Sequence, residues 1–360
     1  MNPAFRLRLG ILGAVLLAVC LPAWWRDRTT FLAAWLAAWS FWLGLALGGL
    51  ASVWIHNLTG GAWGEAIRRP LLALGKLLPG FVILFLPILA GMAGLYAWAA
   101  DADQGSGRWA GGLSAPGFKS GWLQPGPFMV RWLAILLLWN LLAWAARQPR
   151  LERSGPFAAV ALIAYGVSGS IAAVDWFMSL MPLWHSSIFG LEVVAGQALG
   201  GLALAILVAS PAASLGVRRD LGNLLFTYVL IWAYCAFAQF LIIWSENLPH
   251  EISWYVARRE EPWLLLGLAV VLGQFAIPFL ALLFRQVKES PRGLAWVAAG
   301  LLAAHLLEIW GLILPSVASR LDGLLLPWLL AATTLGMGAL CMAFASSEAL
   351  PFPIGRPRDA

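Results

Sequence analysis

The sequence predicts an all-α integral membrane protein with about ten transmembrane helices, and three observations carry that prediction. Of 360 residues, 61% are hydrophobic and 11% charged, with a mean hydropathy of +0.81; a soluble domain carries roughly 25% charged residues. The chain also divides into ten apolar runs, each near the ~20 residues that a helix needs to cross the hydrocarbon core. Finally, Lys and Arg are unevenly shared between alternate connections, 15 against 7, with Arg131 inside a run. An excess of basic residues normally stays on the cytoplasmic side, so both termini are expected there.

The runs lie near 9–25, 31–56, 77–99, 127–147, 156–177, 187–209, 221–246, 263–285, 294–314 and 323–347. The first is followed by Trp24, Trp25 and Arg26 rather than a small-residue cleavage site, so it reads as a retained helix. Turn-forming stretches such as Thr59-Gly60-Gly61, Pro125-Gly126-Pro127, Ser210-Pro211 and Glu289-Ser290-Pro291 separate the runs. Two long connections, about 100–126 and 247–262, fall on the outer face; they are either seats for an extrinsic partner or plain solvated connectors. Tryptophans near span ends, such as Trp54, Trp122, Trp263 and Trp328, fit an interfacial aromatic belt.

The formal charge of +6 comes from Lys and Arg scattered between apolar runs, not from a basic stripe, which argues against nucleic-acid binding. Cys20, Cys235 and Cys341 are far apart, without haem-attachment or iron–sulfur spacing, so any redox centre belongs to a partner. His56, His185, His250 and His305 come from different depths and form no ligand motif, and no metal is expected.

Ionisable groups within a bilayer are costly, which makes each one a functional candidate. Asp175, His185, Glu192, Arg131 and Glu246 all fall toward the outer face and suggest one polar pocket. In the seventh run, Tyr228, Trp232, Cys235, Gln239 and Glu246 share one helical face. His305 and Glu308, three apart, are neighbours on the ninth. That pair either relays protons, since histidine titrates near neutrality, or is a neutral bond holding two helices together. A quinone headgroup suits an aromatic slot, for which Arg131, Trp176, Trp184, His185, Trp232, Gln239 and Trp244 are candidates; Asp175, His185, Glu192, Glu246, His305 and Glu308 are proton-transfer candidates.

Several stretches resemble one family. Residues 175–190 (DWFMSLMPLWHSSIFG), then 219–226 (RDLGNLLF), 231–234 (IWAY) and 239–251 (QFLIIWSENLPHE) with Trp254-Tyr255 are similar to the second large membrane subunit of alternative complex III, the quinol:cytochrome c oxidoreductase. Residues 56–64 (HNLTGGAWG), Arg68-Arg69-Pro70, Leu86-Pro87 and Leu95-Tyr96 extend the match over most of the chain. The chain departs from the family pattern at His250, His305 and Glu308, where an acidic residue, an Arg and an Asp are expected.

The resemblance implies two four-helix bundles with two flanking helices, related to polysulfide-reductase-type anchors, in a bacterial cytoplasmic membrane. It implies a possible quinone or quinol but no covalently bound cofactor, with haem and iron–sulfur clusters carried by partners. Those partners are a homologous quinol-binding membrane subunit, an iron–sulfur subunit, cytochrome c subunits and, in some assemblies, a terminal oxidase; Asn247, Glu251, Trp254 and Tyr255 are the partner-facing candidates. Two other readings stay open: a structural anchor for those partners, and a secondary transporter, for which a clear internal repeat is lacking.

Overall fold

A computed structural model describes residues 3–100 and 121–345; most of the expected 100–126 connection lies outside them. Every regular element among the described residues is a helix. Ten are long and apolar enough to cross a membrane: Pro3–Arg26, Arg28–Thr59, Ala62–Ala90, Pro125–Ala145, Gly155–Leu180, Phe189–Ala209, Leu215–Glu246, Trp263–Leu283, Pro291–Arg320 and Leu326–Phe344, here spans one to ten. Span three begins earlier than the sequence suggests. Residues read there as a connection form the amphipathic helix Ala62–Gly75, which runs into the apolar stretch behind it.

Spans two and six form the centre. Span two is apolar on every side and 94% of its core window is buried, as expected for a helix surrounded by others. Small residues let its backbone meet span six: a Cβ on Gly48 would lie 1.8 Å from the Gln197 carbonyl oxygen, and one on Gly201 would lie 2.3 Å from the Gly49 nitrogen. This close glycine packing is the usual membrane solution, because lipid supplies no hydrophobic drive between helices.

Spans three and five pack on span two on one side of this centre, with span four against both of them. Spans seven and nine pack on span six on the other, with span eight against both of them. Spans one and ten pair with each other and flank span two, joined to it by Trp42 Nε1 donating to the Thr334 carbonyl at 2.9 Å. Two hydrophobic cores result, and both cross the centre: the larger takes in Ile309 and Leu312 of span nine, the smaller Ile67 and Leu71 of span three.

One end of the bundle is locked by the 56–64 segment. Gly60 and Gly61 take positive φ values of 70° and 99°, turning the chain sharply enough for the His56 Nε2 and the Gly61 carbonyl to meet at 2.9 Å. Arg68 then bonds Asn57 and Glu152, tying spans two and three to the 146–154 connection. The opposite end carries the 181–188 and 247–262 connections.

Candidate functional site

Span nine places His305 and Glu308 on one face, with His305 Nδ1 2.7 Å from Glu308 Oε2. Both face span six, where glycine leaves room for them. A Cβ on Gly196 would stand 2.9 Å from each Glu308 oxygen, and one on Gly200 would stand 2.6 Å from the His305 ring. Two further donors converge on the carboxylate: Trp232 Nε1 at 2.5 Å from span seven and Gln274 Nε2 at 2.7 Å from span eight. Gln274 stands in a π-helical turn, Val271–Ala276, which breaks the α register of span eight. Such turns often occur at functional sites.

Above this group, the short helix Pro249–Val256 folds back over the bundle. It is held by Arg258, whose guanidinium stacks 3.2 Å from the Trp254 ring centroid and donates to the carbonyls of Gly311 and Leu312 and to Ser316 Oγ on span nine. Burial pushes the Arg258 guanidinium down to about 9, against the raising influence of Tyr255 and Glu192, and burial also raises the Tyr255 phenol.

Between these layers lies a cavity of about 780 Å³, within the range of small-molecule sites. Its polar lining includes Glu192, Trp232, Gln239, Tyr255, Arg258 and Glu308, and most of the rest is apolar. The cavity opens between spans seven and eight, where Tyr234 is 70% and Phe237 61% exposed. Among the lining groups, Glu192 keeps a buried oxygen, Oε2, with no protein partner. Buried polar atoms are nearly always satisfied, so unused capacity beside a cavity points to a ligand or water.

The expected single polar layer is in fact two sites. Asp175 lies with Arg131 and Trp122, away from the cavity. Arg131 Nε donates to Oδ2 at 2.8 Å and its Nη2 to Oδ1 at 3.0 Å, while Trp122 Nε1 donates to Oδ1 at 2.8 Å. Arg131 also stacks 4.0 Å from the Trp122 ring centroid. Trp122 is thus a ligand of Asp175, not merely a belt residue. The fork joins spans four and five and leaves little acceptor capacity on the carboxylate.

Other expectations need correction. Trp176 belongs to the aromatic core of the first bundle, 4.9 Å from Trp39 and 5.7 Å from Trp139 between ring centroids. Trp244 is 66% exposed on the outside of span seven. The buried face of that span runs Tyr228, Trp232, Cys235, Gln239 and Ile243, and Glu246 is exposed because the helix ends beyond its neighbours. Trp184 is fixed in the roof by donating to the Glu251 carbonyl at 2.9 Å and stacking on Trp254 at 4.3 Å. Trp254 and Tyr255 both line the cavity, because the fold-back of their helix turns them inward. Asn247 is exposed, in the left-handed conformation that ends span seven, with φ 49°. His185 stacks on His250 at 5.8 Å instead of entering the cavity.

Trp232, Gln239, Glu192 and Glu308 do share the cavity, with His305 bonded to Glu308 behind its wall. Sequence reasoning missed Gln274, Arg258 and Ser186, whose hydroxyl donates to Gln239 Oε1 at 2.9 Å. Gln274, a lone amide amid the apolar residues of span eight, was discoverable as an intramembrane polar group. No family model and no curated protein matches the chain.

Proposed function

We propose that this chain is a membrane subunit of a quinol-oxidising electron-transfer complex, and that the cavity between spans seven, eight and nine receives the quinone headgroup. The observation that carries this reading is the cavity itself: about 780 Å³, open sideways between two apolar spans, with two carboxyl groups at its polar side. A lipid-soluble ring enters such a site from the bilayer without passing through water. Trp232, Trp254 and Tyr255 supply aromatic surface for a flat ring, and Gln239, Tyr255 and Arg258 supply hydrogen-bonding groups for its oxygens.

Oxidation of a quinol releases two electrons and two protons. In this reading the protons leave by way of the carboxyl groups of Glu308, backed by His305, and of Glu192. The electrons leave to haem or iron–sulfur centres of partner subunits, since no cysteine spacing in this chain suits a cluster. In the orientation that the basic residues favour, the cavity stands toward the outer face of a bacterial cytoplasmic membrane.

The test is gentle purification from native membranes, with subunit identification, visible spectra and quinol oxidation on one sample. Multihaem cytochrome and iron–sulfur partners are expected, with quinol oxidation reduced at least tenfold by Glu308→Gln. A colourless solitary protein, or full activity in that variant, overturns the reading in favour of transport or a purely anchoring role.

A further inference from the structure

Three side chains that the cavity does not use meet at the end of the bundle that carries the 247–262 connection. His185 comes from the connection after span five, and His250 and Glu251 from the first turn of the helix Pro249–Val256. One ligand atom from each lies within 4.8 Å of the other two. The two imidazoles are nearly parallel, 15° apart, and His250 Nε2 is 3.7 Å from Glu251 Oε1. We propose that these residues form a binding site for a borderline divalent cation of the zinc class, through two imidazole nitrogens and one carboxylate oxygen, with water completing the tetrahedron.

The donor set selects the ion. Imidazole suits zinc, copper and nickel, whereas calcium and magnesium favour all-oxygen sites. Metal–nitrogen bonds of ~2.0–2.1 Å place tetrahedral ligands roughly 3.3 Å apart, so the donors need close by no more than about 1.5 Å. The His250 side chain, 47% exposed, is free to make that adjustment. The backbone on both sides is already fixed. Trp184 donates to the Glu251 carbonyl and stacks on Trp254, and Ser186 donates to Gln239. These bonds flank His185 and hold its connection against the helix whether or not a metal is bound. The four histidines show no ligand spacing in the sequence because the site is assembled from two segments about 65 residues apart in number.

The site also lies over the cavity, since Gln239, Trp254 and Tyr255 belong to both neighbourhoods. A bound ion clamps the 181–188 connection to the helix above the cavity. The inference does not rest on the quinol reading.

The experiment uses the full chain in detergent, freed of metal by chelation, and measures zinc by competition with a chromophoric chelator and cobalt by visible absorption. One zinc per chain is expected, with micromolar or tighter affinity, together with the intense visible bands of four-coordinate cobalt and no competition from millimolar magnesium. His250→Asn, on a half-exposed side chain, and His185→Asn are each expected to weaken zinc at least tenfold. No zinc binding by the wild-type chain at a tenfold excess of micromolar protein, a cobalt spectrum of six-coordinate type, or unchanged affinity in both variants overturns the proposal. The wild-type cobalt spectrum decides the matter even if a variant fails to fold.

Discussion

The two halves of the molecule treat a buried carboxylate in opposite ways. In the first bundle, Asp175 is 1% exposed and closed off by Arg131 and Trp122, with three N–H donors and a full countercharge. In the second, Glu308 accepts N–H bonds from Trp232 and Gln274 and meets His305 Nδ1 at 2.7 Å, but it borders a cavity and shares it with Glu192. The first arrangement satisfies a charge so that it stays put. The second leaves Glu192 Oε2 unpartnered beside open space. An ionisable group within a membrane is therefore informative only together with what surrounds it: the Arg131 fork closes Asp175 between spans four and five, whereas Glu308 borders a cavity.

The contrast makes graded predictions. Asp175→Ala leaves the half-buried Arg131 without its partner and is expected to destabilise the chain by about 3 kcal/mol, the lower end for a broken buried pair, read by thermal unfolding in detergent. Combining Asp175→Leu with Arg131→Met removes both charges and should recover most of that loss. A single change that costs nothing would break the comparison. Gly196→Ala comes next: its methyl would meet both Glu308 oxygens at 2.9 Å, and overpacking of this kind costs about 1–3 kcal/mol. The loss should be smaller when paired with Glu308→Ala, which vacates the space.

Glu308→Gln keeps the volume but turns one acceptor oxygen into a donor facing an N–H group, and is expected to cost about 1–3 kcal/mol, less than Asp175→Ala, while ligand binding in the cavity falls. A stability loss as large as that of Asp175→Ala would put Glu308 in the same class as Asp175 and erase the distinction. Smallest of all is Arg285→Ala. This residue pairs with Glu289 one turn away at 2.5 Å, with 65% of its side chain exposed, and such surface pairs contribute about 0.3–0.5 kcal/mol.

Hydrophobic run length sufficed to place ten helices, because the bilayer imposes a length that composition reveals directly. It failed at residues 62–76, where an amphipathic helix continues into an apolar one and the boundary has no composition signal. The site was only half legible. Helical spacing put Trp232 and Gln239 on one face and His305 beside Glu308, and those relations hold within single helices. Which helices face each other is set by glycine contacts such as Gly196 with Glu308, and by a connection folding back over the bundle. Depth alone therefore merged Asp175 with Glu192, although they belong to different bundles. It put His185 and His250 on the same outer side, but did not reveal that their two connections bring the rings together.

The central claim is that the second bundle, not the first, holds a lipid-soluble ring, and photolabelling tests it most directly. The native assembly, or the full chain in lipid nanodiscs, is irradiated with an azido-quinone and the modified peptides are mapped, with and without excess unlabelled quinol. The account predicts label on cavity residues of spans seven and eight, such as Tyr234, Phe237 and Val271, suppressed by the competitor and reduced by Glu308→Gln. Competitor-sensitive label near Asp175, Arg131 and Trp122, with spans seven and eight unmodified, would contradict it.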